Sequence, residues 1–336
     1  MTRATLRRVV LATGCSMATG DILRKMSVGE EADSPGRSEE GAVATPLPTL
    51  FHIWGSRGSR NAVGSQIGNR TSCYSLVVGN DLFVFDAGSG LLPLSVALRS
   101  DERLGRVERV HVLVSHAHVD HWEGVKDAEW MWRKNGGLDL TIMGPREALE
   151  AIRRVFAPPS FVPLEILAIG TLASLALVEI EAGASVQLPG ATLEPMALHH
   201  YSGIAPNQRY LDTLGYRLVV DGGPTVAYLC DHEPTGKTSE MERRMVATAN
   251  LAIVDASYSD IADHAFGHGS VESVAALARA FPEARILAAH HGPLRADAEI
   301  EEAGERHASG LPRFAIAREG ATERWDPSSG RFVRAR

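Results

Sequence analysis

Cysteine is scarce. Cys15, Cys73 and Cys230 are the only three in 336 residues. They are too few and too scattered for a disulfide framework, so free thiols in a reducing compartment are expected. No apolar run reaches membrane-spanning length. The apolar stretch Ile166 to Val178, free of charge and of histidine, is roughly two-thirds of what a spanning helix needs, and no membrane association is expected. Positive charge is not in excess, and the net charge of −7 argues against broad electrostatic binding of nucleic acid. Lysine is reduced to Lys25, Lys126, Lys134 and Lys237, a compositional bias rather than a chemical signal. The start MTRATLRRVVLATGC has the basic opening and apolar patch of an export signal. Its apolar core is too short and runs at once into SMATGD, so a cytoplasmic protein is expected.

What is present divides the chain in two. Residues 1–48 form an extension whose latter part, Glu30 to Pro48, is rich in Pro, Gly, Ser and Glu. That composition buries no core and is expected to be partly disordered. From Leu50 the texture changes to short apolar runs broken by Gly, Asn and Asp: LFHIW, CYSLVV, LFVFDAG and VERVHVLVSH all have strand character. Helical spacing is predicted over GVKDAEWMWRK and REALEAIRRVF. A second series of strands follows, from LVEIEAG to TVAYLCD, then helix, strand, helix and the strand RILAAHH. Strands then helices, twice over, suit a layered α/β fold with helices outside.

The densest chemistry lies in SHAHVDH, where His116, His118, Asp120 and His121 fall within six residues at the end of an apolar strand. In an extended loop positions i and i+2 project the same way, so His116 and His118 can converge on one ion. Asp120 and His121, at the turn, can face a second. An N-cap explains Asp120 but not three bunched histidines. Imidazole and carboxylate donors suit Zn²⁺, with Mn²⁺ or Fe²⁺ as alternatives. Other strand ends carry His199–His200, Asp231–His232 and His290–His291. Jointly these would complete two metal sites on one rim.

The order and spacing of these residues, with the DAG of Asp86–Gly88, resemble the metallo-β-lactamase-fold hydrolases over nearly all of residues 50–325, so residues 49–336 are expected to form one such domain. WGSRGS (Trp54–Ser59), GNRTSC (Gly68–Cys73) and FGHGS (Phe266–Ser270) resemble the phosphodiesterase-like branch, which includes tRNA 3′-processing endonucleases and cyclic-phosphate hydrolases. The resemblance implies an αββα sandwich, two mixed β-sheets flanked by helices. It implies His116, His118 and His200 on one divalent ion and Asp120, His121 and His290 on the other, with Asp231 bridging. Asp120 and His268 are the implied catalytic residues, His268 near the leaving group, and Asp86 would orient the ligand loop.

Two ions can share a water and bring its pKa towards neutrality, so hydrolysis by the resulting hydroxide is expected. The acidic surface favours a small or cyclic phosphodiester, and nucleic acid is not the expected partner. A homodimer is left open. Arg57, Arg60 or Arg70 could grip a phosphoryl oxygen, or their loops could be tight turns alone. A carboxylic ester, lactone or thioester hydrolase is the alternative, with Tyr201 or Tyr210 polarising a carbonyl. A non-catalytic metal-binding sensor is a third reading. Departures from the family pattern are the added Ile204–Thr213 segment, His232 after the bridging aspartate, and an HHGP that lacks a following aspartate.

Overall fold

The computed structural model describes residues 8–9, 49–132, 138–203, 206–235 and 237–335. The segment Glu30–Pro48, expected to be disordered, lies outside the described residues. Two mixed sheets form the centre. The first has nine strands: β1 (Arg8–Val9), β2 (Leu50–Gly55), β3 (Cys73–Val78), β4 (Asp81–Phe85), β5 (Arg109–Leu113), β6 (Asp139–Gly144), β7 (Ser174–Glu179), β17 (Thr322–Asp326) and β18 (Arg331–Arg334). Their spatial order is β1-β7-β6-β5-β4-β3-β2-β17-β18.

The second sheet has seven strands: β8 (Val186–Leu188), β9 (Ala191–Ala197), β12 (Leu214–Val220), β13 (Thr225–Leu229), β14 (Leu251–Asp255), β15 (Arg285–Ala289) and β16 (Phe314–Ile316). They lie in the order β16-β15-β14-β13-β12-β9-β8. A small hairpin, β10 (Tyr201–Ser202) with β11 (Arg209–Tyr210), opens the added segment.

The apolar strands are continuous rather than alternating because both faces of each sheet are covered. Tyr74 and Leu76 of β3, with Phe83 and Phe85 of β4, meet Val226 and Tyr228 of β13 between the sheets. Cys73, Val77, Leu82 and Val84 turn the other way, onto helices α1 (Leu91–Ser100) and α2 (Arg146–Val155). Ala227, Leu229, Ala252 and Val254 do the same on the far side. They pack beneath α4 (Lys237–Ala247), α5 (Val271–Ala280) and α6 (Asp297–Ala308). A short α3 (Leu164–Ala168) lies against β7. This is the αββα sandwich expected. No described helix is long and apolar enough to cross a membrane.

One expected helix is corrected. The described part of GVKDAEWMWRK forms two 3₁₀ turns, Glu123–Asp127 and Glu129–Met131, parted by Ala128 in an extended conformation, and its last two residues lie outside the described residues. Val125, Ala128, Trp130 and Met131 are all buried. A single α-helix would point Trp130 away from Val125 and Ala128, so the chain breaks to bury all four. Helices α1 and α6 and strands β16–β18 were not anticipated.

Topology sets the site. β4–β7 run parallel, as do β13–β16, and the ligand-rich segments follow the carboxyl ends of β5, β13 and β15. Asp255 sits beside Ala289 in register, so Asp231, Asp255 and His290 share one edge.

Away from that edge, Glu242 on α4 is buried, and its desolvation pushes the carboxyl from 4.5 up to about 8. Since the folded-state value is raised, its contribution to stability is fully present below about pH 4 and is lost as pH rises through 8. Glu242→Gln should therefore melt increasingly above the wild type from pH 5 to 8. The gap should reach on the order of 3–5 kcal/mol and then level off. A gap in melting temperature that ignores pH would refute this.

Candidate metal centre

The His loop follows β5, and its residues diverge as the spacing predicts. His116, His118, His200 and Asp231 each present a ligand atom, all within 4.8 Å of one another. Asp120, His121 and His290 form a second such group. The Asp231 carboxylate faces both. Its Oδ2 lies 3.5 Å from Nε2 of both His116 and His200. Its Oδ1 lies 3.3 Å from His121 Nε2 and 2.9 Å from His290 Nε2. Asp120 Oδ2 completes the second group, 3.3 Å from His121 Nε2 and 3.7 Å from His290 Nε2.

The imidazoles are oriented from behind. Asp86 accepts from Ser115 N (2.7 Å), Ser115 Oγ (2.8 Å), His121 Nδ1 (2.6 Å) and the Tyr228 hydroxyl (2.6 Å). Ser115 Oγ in turn accepts from His116 Nδ1 at 3.0 Å. His200 Nδ1 donates to Gly267 O at 3.1 Å, and His290 Nδ1 lies 3.0 Å from Ser257 Oγ. With Nδ1 engaged, Nε2 of each ring is turned inward. The Nε2 atoms of His116, His121 and His290 are buried with no hydrogen-bond partner. Buried orphan nitrogens are rare because each costs the desolvation of a polar group. Three of them converging on two carboxylates fit a pair of divalent cations.

The electrostatics agree. Burial alone would lower His290, but Asp231 and Asp120 lift it to about 10. His121 is likewise raised against burial by Asp231, Asp120 and Asp86. Burial would raise the Asp231 carboxyl, yet His121 and His290 hold it well below the usual range. The two carboxylates demand positive charge between them.

Within each pair of neighbouring histidines, packing separates the two. His199 packs against Tyr201 and Tyr210, with centroids 6.0 and 5.2 Å away. His291 turns its Nε2 to Ala317 O at 3.0 Å. His232 stands apart from both groups: its Nδ1 accepts from His199 N at 3.1 Å, and burial lowers it to about 4. Tyr201 and Tyr210 meet edge to face, 5.7 Å between centroids.

The early arginines are accounted for by the loops. Arg57 is buried, with its guanidinium on Gly68 O, Arg295 O, Ser65 Oγ and Asp297. Arg70 pairs with Glu319, while Arg60 is exposed. The WGSRGS loop serves the centre through its backbone. Ser59 N donates to Asp120 Oδ2 at 2.7 Å. A Cβ on Gly58 would fall 2.4 Å from the His290 ring, so only glycine allows this approach.

His268 stands beside both groups, its ring 4.8 Å from His200 and 5.0 Å from His290. Its Nδ1 is held by Asp255 Oδ2 at 2.7 Å. Asp255 carried no functional signal in the sequence, although it ends an apolar strand as Asp231 follows one. Ser115 and Tyr228 carried no comparable signal.

Asp86→Asn tolerates the left-handed backbone at this position (φ 55°) but accepts fewer of the four hydrogen bonds. It should weaken divalent-metal affinity about 10–100-fold, read by competition with a chromogenic chelator. Unchanged affinity would show that Asp86 does not orient the ligands.

A family model described as a beta-lactamase superfamily domain matches residues 82–291. Solved structures share the fold at low identity. The metallo-beta-lactamase fold protein YhfI from Bacillus subtilis is 17% identical with a TM-score of 0.57, over 82% of this chain and 99% of that one. A diphosphatase from the PhnP family is 16% identical at 0.58, over 82% and 96%. The short form of human tRNase Z is 15% identical at 0.53, over 81% and 98%. A search of curated protein sequences finds no match.

Proposed function

The chain belongs to the beta-lactamase superfamily, and from that premise we propose a metal-dependent hydrolase, specifically a phosphodiesterase acting on a small or cyclic phosphodiester. His116, His118 and His200 would hold one divalent ion and Asp120, His121 and His290 the other, with Asp231 facing both. Zn²⁺ suits this nitrogen and oxygen set best. Such ions, when bound, lower the pKa of water and stabilise charge on phosphoryl oxygens. With two carboxylates among the ligands, a dinuclear divalent centre keeps net positive charge, which suits an anionic diester.

The observation that carries the reading is the His268–Asp255 pair at the edge of this centre. Asp255 is fully buried and fixes the His268 ring through Nδ1. The ring can then give a proton from Nε2 to a departing alkoxide. Asp120, held by the Ser59 N–H, is positioned to accept a proton from the attacking water. Two of the similar structures are named as a diphosphatase and a tRNase Z, both activities at phosphorus, which supports the same chemistry.

The decisive comparison sets bis(p-nitrophenyl) phosphate against a lactone and a thioester, with metal content measured in parallel. The expected outcome is diester hydrolysis that chelation abolishes and Zn²⁺ or Mn²⁺ restores. Cleavage of the lactone or thioester alone would refute the proposal.

His268→Ala should reduce kcat about 10²–10⁴-fold on diesters with alkyl leaving groups. With p-nitrophenolate, which needs no proton to depart, the loss should be much smaller. An equal loss on both would remove His268 as the acid.

A further inference from the structure

His268 also lines a second hollow, about 330 Å³ in volume, at the lower end of small-molecule sites (~300–1,000 Å³). Two of its lining residues join it to the metal centre. One is His268 itself, and the other is Ser59, whose N–H is held by Asp120. The remaining lining is largely apolar, with Tyr258, Phe266, Pro293 and Leu294. Arg295 is the lone guanidinium there, and its nitrogens are already engaged. Nη1 donates to Ala256 O and Ser257 O, and Nη2 to Ser259 Oγ and Glu299 O. The Arg295 guanidinium is therefore not free to meet a second phosphate or a carboxylate.

Its lip is built rather than incidental. Phe266 is half-exposed and adopts φ 55°, a left-handed conformation that an aromatic residue rarely takes. The turn is retained because the next carbonyl, Gly267 O, accepts from His200 Nδ1. Leu294 is 85% exposed and lines the same hollow, so two apolar side chains meet at its mouth. Its loop is fixed by Arg57, which donates to Arg295 O on one side and pairs with Asp297 beyond. Two apolar side chains thus stand preset beside the proton donor.

We infer that this hollow is the leaving-group subsite and takes an uncharged aromatic alcohol of one or two rings. The inference rests on the phosphodiesterase reading. Water forms the new P–O bond and the P–O bond to the aryl oxygen breaks. The proton on His268 Nε2 goes to that oxygen, so a neutral phenol and a phosphomonoester leave.

The test uses methyl diesters with three leaving groups: phenol, 2-naphthol and 6-hydroxy-2-naphthoate. The naphthyl ester should exceed the phenyl ester about tenfold in kcat/KM, from the added ring buried, and the carboxylated ester should fall below both. Leu294→Lys, an exposed position that folding tolerates, should reverse the order of the two naphthyl esters. In parallel, 2-naphthol is titrated against the protein by fluorescence, with tighter binding expected to the wild type than to Leu294→Lys. If diesters turn over but neither ring size nor Leu294→Lys alters the rates, the subsite is refuted and the phosphodiesterase reading stands. If no diester turns over, that reading fails, and the naphthol titration alone decides the hollow. Absent or Leu294-independent binding would then refute the subsite too.

Discussion

A single buried carboxylate holds the centre together. Asp86 is fully enclosed at the end of β4, where an ionised carboxylate without partners would cost several kcal/mol. Four donors surround it, and they come from different parts of the fold: the Ser115 backbone and hydroxyl, the His121 ring, and Tyr228 of the opposite sheet. One interaction therefore locks the two sheets in relative position and sets the tautomers of two imidazoles. Because Nδ1 of His116 and His121 are turned to Ser115 and Asp86, their Nε2 lone pairs are free to face inward. The orientation of half the centre follows from that hydrogen-bond network.

The same backbone device recurs around the rim. Asp86, Asp231 and His290 have φ of 55°, 54° and 54°, and each comes within two residues after a strand of the central sheets. Left-handed geometry costs a non-glycine residue about 1–2 kcal/mol, and it persists where surrounding contacts over-determine it. Here it turns the chain sharply out of the sheet and carries the side chain across the strand ends. Glycine works in the complementary sense. Gly58 lets the backbone come against His290, and a Cβ on Gly88 would lie 2.3 Å from Asp120 O. Strain at three residues and missing side chains at two others bring the candidate ligands into one small volume.

Much of this was legible in the residues themselves. SHAHVDH is local, and its i, i+2 spacing after a strand leads directly to two half-groups. The apolar strands were legible because burial on both faces leaves unbroken runs. The 3₁₀ turns at 123–131 were misread because their apolar spacing mimics a helix until the direction of Trp130 is known. Helix α1 carries Pro93 in its first turn, where proline is tolerated, but the pattern looks broken. The late helix α6 buries only Ile300, Ala303 and Ala308 in an acidic run, too thin a stripe to stand out. Asp255 was overlooked since an aspartate ending a strand has many structural uses, and only its 2.7 Å contact with His268 gives it one.

By itself, then, the chain determined the fold class, the candidate ligand types and the strand ends that bear them, because periodicity and short spacing are properties of neighbouring residues. Which histidine of each adjacent pair turns inward was decided by tertiary structure. His200 is tied to Gly267 and His290 to Ser257, while His232 pins His199 and Ala317 takes His291. Adjacent residues on an extended chain point to opposite faces, and only the packing of distant segments decides which face is the interior.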